Sequence, residues 1–95
     1  MIDHTVGILK ALADDTRISI VRELIDGREL RTQELTKKFT LSQPTLSHHL
    51  AILVDAHILN AKKEGSYWIY SLNLDYLNKI GIDIQKLAYA KHAHD

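Results

Sequence analysis

The chain has no cysteine among its 95 residues, and that absence removes disulfides, thiolate metal sites and thiol redox sensing together. Proline occurs once and glycine four times, so little interrupts helix formation. Net charge is missing as well, because 12 Lys and Arg balance 12 Asp and Glu. The total therefore gives no sign of a nucleic-acid partner. No apolar run approaches the roughly 18 residues of a membrane span, and the polar residues spaced through MIDHTVGILKALADD argue against a signal peptide. The sequence is read as a cytoplasmic protein with no membrane partner.

What is present is 45% hydrophobic residues, enough for one domain spanning 1–95. A domain of this size buries only about 60 to 70% of its unfolded surface. Association with a second copy is expected. Charge is also uneven: Arg31, Lys37, Lys38, Lys62 and Lys63 stand against Glu34 and Asp55 between positions 31 and 63. A neutral molecule can carry a basic face.

Apolar residues recur at helical spacing from Asp3 to Ala13, and a second helix, TRISIVRELID, follows a cap at Asp14 or Asp15 and stops at Gly27. Thr32 is the expected cap of a short third helix through Lys38. Ser42 is the expected cap of a fourth, with Pro44 in its first turn, where the missing N–H costs nothing. The short connection between these two helices predicts a helix-turn-helix. With Leu46, Leu50 and Leu53 turned to the core, Gln43, Ser47, Ala51 and, slightly rotated, His48 face outward.

After His57 the period shortens to two. ILNAKKEGSYWIYSLN predicts a β-hairpin with a basic tip in which Gly65 supplies the positive φ of the turn. A last helix from Leu74 to about Ala90, interrupted by Gly81, carries Leu77, Ile80, Ile84 and Leu87. Its stripe has no partner left in so small a core, so it is expected to meet Val6, Leu9 and Leu12 of the first helix of another protomer. The expected fold is mainly α with a small β-hairpin, a winged helix-turn-helix of order ααααββα, with a short strand near Leu30 beside the wing.

Four segments in order, ALADDTRISIVREL, LSQPTLSHHLAIL, AHIL and KKEGSYWIYSLN, resemble the ArsR/SmtB family of winged-helix repressors over nearly the whole chain. The resemblance implies a homodimer joined through its first and last helices that binds double-stranded operator DNA at an inverted repeat and represses its own operon. Position by position it implies base contacts from Gln43, Thr45, Ser47 and His48, and wing contacts from Lys62, Lys63 and Ser66. The chemistry agrees, since Gln can pair with adenine while Ser and Thr serve several bases.

Two departures concern metals. The third helix has Glu34, Leu35, Thr36 and Lys37 where many members carry a cysteine pair, and Asp75 is followed by Tyr76 and Leu77 where others carry Asp-x-His. The sequence is similar to the metal-insensitive autorepressors of the family. No cofactor is expected; the alternative is a zinc or nickel site gathered from His4, His92 and His94 at the chain ends. Terminal histidines are more often solvated.

The bland reading of the fourth helix is a solvated surface, and a protein-binding winged helix is the competing class. His49 is expected on the core side as a structural histidine, and His57 is expected to pack at or cap the helix end, where an imidazole interacts well with the dipole. Alternation of Trp68 with the tyrosines favours packing within the wing over base stacking. Ser47 beside His48 lacks an orienting third group and oxyanion donors, so no enzyme is expected.

Overall fold

A computed structural model describes residues 4–89. Helix α1 (Thr5–Leu12) buries Ile8, Ala11 and Leu12 and leaves Val6 and Leu9 in solvent. Asp14 then caps α2 (Asp15–Glu23), its carboxylate accepting the Arg17 N–H at 3.0 Å. The α-helix ends at Glu23, short of the expected stop. Leu24 and Ile25 stay buried in a tighter turn, bonding back to Val21 and Arg22, before Asp26 and Gly27 both take positive φ.

The Arg17 N–H is the main cause holding the Asp14 carboxyl below its ordinary value; burial opposes it, and the charge of Arg17 assists. A depressed folded pKa means the stabilisation is complete above the unfolded value of about 3.9 and is lost as pH falls through the folded value. Asp14→Ala should therefore cost about 0.5–2 kcal/mol near neutrality, the usual worth of a helix cap. Thermal melts across pH should show that deficit shrinking below pH ~4; a deficit independent of pH would rule out the ionised cap.

Strand β1 (Leu30–Arg31) leads straight into α3 (Thr32–Phe39), so Arg31 rather than Thr32 occupies the cap position. The cap is completed from within: the Arg31 N–H donates to Glu34 Oε1 at 2.9 Å. Thr40, at φ 51°, turns the chain, and Ser42 starts α4 (Gln43–Asp55) by accepting the Thr45 N–H at 3.3 Å. Leu46, Leu50 and Leu53 are at most 1% exposed. The helix-turn-helix is thus pinned by its leucine side.

Strands β2 (Leu59–Glu64) and β3 (Tyr67–Leu72) form the wing, turning at Gly65 with φ +62°. The antiparallel sheet runs β1-β3-β2, with Leu30 opposite Tyr70 and Lys62 opposite Ile69. Mainly helical with a small antiparallel sheet, this is the expected winged helix-turn-helix.

The expected last helix is two helices, α5 (Leu74–Lys79) and α6 (Ile84–Ala88). Gly81 at φ +85° breaks it, and Asp83 caps the second piece by accepting the Lys86 N–H at 3.1 Å. The break redirects α6 onto α2, where Arg22 Nε donates to the Ala88 carbonyl at 2.6 Å.

Candidate nucleic-acid interface

Burying the leucine side of α4 forces the other side outward. Gln43, Thr45, Ser47 and His48 are all exposed, forming a ridge of donors and acceptors on a helix whose back is fixed. Such a ridge, displayed from the second helix of a helix-turn-helix, has the shape and chemistry to read base edges in a major groove.

His49 faces the other way, as its position on the helix predicts. Its Nδ1 lies 3.2 Å from Arg17 Nη1 and 3.9 Å from Asp14 Oδ1, with the His49 side chain 15% exposed. A guanidinium only donates, so Nδ1 is the acceptor in this contact. Arg17 also donates from Nε to the Ala11 carbonyl and from Nη2 to that of Lys10. One arginine thereby ties the end of α1 and the cap of α2 to the recognition helix. Sequence spacing gave the side on which His49 lies but not this partner, 32 residues away. His57 packs its ring against Tyr76, with centroids 5.5 Å apart.

The wing differs from expectation in its charges and rings. Lys62 Nζ is already engaged, at 3.1 Å from Glu64 and 4.0 Å from Glu29, and the bond to Glu64 leads the causes that raise its pKa. A phosphate would have to displace those carboxylates. Among the described residues Lys63 has no carboxylate partner; it lies 5.9 Å from the Trp68 ring centroid, while Ser66 is exposed at the turn. Of the aromatics expected to pack within the wing, Tyr70 meets the core. Tyr67 and Trp68 instead stay 41% and 45% exposed, each beneath a cation.

The seven residues expected at a dimer surface divide in two. Leu12, Leu77 and Ile84 are buried inside the protomer, the last because the turn at Gly81 carries α6 onto α2. They are core residues. Val6, Leu9, Ile80 and Leu87 remain exposed, and sequence reasoning missed Tyr89, which is exposed beside them in the chain. Among the described residues no group of three His, Asp or Glu is placed to hold a metal; His4 is exposed, and His92 and His94 lie outside the described residues.

Comparison with known proteins gives this geometry a context. The pattern of bacterial regulatory proteins of the arsR family matches residues 14–61, from the cap of α2 into β2. The arsenical resistance operon repressor of Staphylococcus xylosus is 43% identical over 75 residues, covering 76% of this chain and 71% of that protein. The solved structure of HlyU from Vibrio cholerae, a protein described as a transcriptional activator, superposes with a TM-score of 0.76 at 33% identity, over 93% of this chain and 94% of that one. A homodimeric winged helix-turn-helix DNA-binding domain from Mycobacterium bovis shares the fold alone, with a TM-score of 0.77 at 23% identity over 98% of this chain and 87% of that one. With more than one measure agreeing, the chain belongs to the arsR family of bacterial transcriptional regulators, built on a winged helix-turn-helix DNA-binding fold.

Proposed function

We propose that the protein is a homodimeric transcriptional repressor that binds an inverted repeat in the DNA upstream of its own gene. The observation that carries this reading is the exposed ridge Gln43, Thr45, Ser47 and His48, flanked by the wing and backed by buried leucines. Two such ridges related by a two-fold axis enter successive major grooves about 34 Å apart, so the operator has matching half-sites one helical turn apart. Val6, Leu9, Ile80 and Leu87, exposed and apolar on the first and last helices, supply the surface that joins the copies. Repression rather than activation is favoured by the relative with the higher identity, which is named as a repressor.

That relative's name also speaks of arsenic, a thiophilic element, and this chain has no thiol. The inducer is accordingly of another chemistry, and the autorepressor reading needs none of the terminal histidines. Lys63 and Ser66 position the wing on the backbone, with Lys62 a weaker contributor because its charge is already matched.

Fluorescence anisotropy on the upstream DNA across several salt concentrations, with zinc and then with chelator, tests the reading. Wild type should bind tightly and selectively, with affinity falling linearly in the logarithm of salt and unmoved by zinc. Gln43→Ala should lose about 1–3 kcal/mol on the operator, the worth of one bidentate base contact, and almost nothing on scrambled duplex. Equal losses on both would contradict base reading. Weak, salt-insensitive binding by the wild type would move the assignment to a protein-binding winged helix, and loss of binding on adding zinc would make His4, His92 and His94 sensor ligands.

A further inference from the structure

Three cations near the interface are already matched by carboxylates. Arg28 and Lys38 share Glu23 at 3.7 and 3.6 Å, and Lys62 is held between Glu64 and Glu29. Three others are not. Among the described residues Arg31, Lys37 and Lys63 have no ion-pair partner, and two of these are held by rings: Arg31 lies 4.5 Å from the Tyr67 centroid and Lys63 lies 5.9 Å from that of Trp68. A ring orients a cation without neutralising it. The charge of these side chains remains available to an outside anion.

Arg31 and Lys37 stand between two clefts. One, of about 460 Å³, is also lined by Glu29 and Glu34, whose carboxylates repel an anion. The other, of about 370 Å³, contains no carboxylate; Arg31, Lys37, Thr36, Gln43, Ser66 and Trp68 are among its lining residues. It brings together the end of β1, the first helix of the helix-turn-helix, the start of the recognition helix and the wing turn. In the sequence Arg31 and Lys37 stand out only as part of a local basic excess.

Resting on the DNA-binding reading above, we infer that this carboxylate-free cleft seats a backbone phosphate of the operator duplex, held by Arg31 and Lys37. Trp68 and Tyr67 form the wall against which the adjoining sugar packs. Arg31 stacked on Tyr67 offers its planar fork at one edge, suited to two phosphate oxygens, and Lys37 adds a point charge from the α3 side. Gln43 lines the same cleft, so a strand seated there passes directly beside a base-reading residue and fixes its register on the groove. The paired Lys38, one residue along α3, does not line the cleft, and Lys62 does not line it either.

The test is the salt dependence of binding to the upstream DNA for Lys37→Ala, Arg31→Lys and, as a control, Lys38→Ala, with circular dichroism to verify that each is folded. Lys37 is exposed in a helix, where alanine is well tolerated. Lys37→Ala should lose affinity about fivefold at ~0.15 M salt on operator and scrambled duplex alike, with the slope of log affinity against log salt shallower by about one, the share of one neutralised phosphate. Lys37→Arg should restore the slope. Arg31→Lys should keep the slope but weaken binding, because it retains charge and loses the fork and the stacking. Lys38→Ala should change neither quantity. If wild type binds steeply with salt while Lys37→Ala matches it in slope and affinity, the seat is wrong and the DNA reading stands. Equal effects of Lys37→Ala and Lys38→Ala would reduce the cleft to general positive charge and overturn the assignment. Wild type without salt-dependent binding would overturn the underlying reading instead.

Discussion

Replacing Leu9 and Leu87 together with glutamate is expected to leave a monomer and to lower operator affinity by about 10²–10⁴-fold, the advantage that two joined sites hold over one. Both side chains project from the protomer, at 54% and 41% exposure, so the substitutions should leave the fold intact. With Val6, Leu74, Ile80 and Tyr89 they make six large apolar side chains left in solvent among the described residues of α1 and the segment following the wing. Placing two carboxylates per copy on this surface opposes association twice over, by desolvation of charge and by like-charge repulsion across a two-fold axis.

Sedimentation should report the monomer, and binding to an isolated half-site should stay within a few-fold of wild type because the recognition face is untouched. A variant that remains dimeric would mean another surface joins the copies; a wild type already monomeric at micromolar concentration would remove the inverted-repeat operator with it.

Why some of this was legible in sequence and some was not follows from the range of the forces concerned. The leucine spacing of α4, the Ser42 cap and the Gly65 turn are local, and each lies where its residues predict. Gly81 was visible as an interruption, yet the sequence alone did not say that it would become a turn. The missing signal was Asp83 two residues later, a capping residue that begins a new helix. That one turn decides the fate of Ile84, which periodicity assigned to a partner and the fold assigns to the core. The end of α2 was misplaced for a similar reason. Leu24 and Ile25 keep the helical hydrophobic period while leaving the helix, because burial constrains side chains and not the backbone bonding pattern.

Charges were harder still. Lys62 and Lys63 are adjacent and look alike in sequence, but the strand alternates their directions, and the carboxylates that claim Lys62 come from its neighbour Glu64 and from Glu29 in another part of the chain. Arg17, placed in a helix by its sequence, acts at the junction of α1, α2 and α4. Such partnerships depend on tertiary approach and leave no periodic trace.

Leu50→Ala should be the costliest single truncation on the recognition helix, at about 2–5 kcal/mol. Leu50 is 1% exposed and sits between Leu46 and Leu53 on a helix that contacts α1, α2, α3 and β2. A domain of this kind holds roughly 5–15 kcal/mol in all, so the loss is a large share of the whole. For a chain of under 100 residues each kcal/mol corresponds to about 4–8 °C, so the melting temperature should fall by at least ~8 °C at matched protein concentration. Leu50→Met, which nearly conserves volume, should lose less than about 1.5 kcal/mol. Saturating operator DNA should restore part of the lost temperature, because DNA binds only the folded form, and operator affinity measured well below the melt should be nearly that of wild type. The leucine side would then act by holding the polar ridge in place rather than by touching DNA. A fall of under ~2 °C would show that the core closes around the deletion. A large affinity loss in fully folded Leu50→Ala would show instead that the ridge depends on the exact seating of its helix, making core packing part of operator recognition.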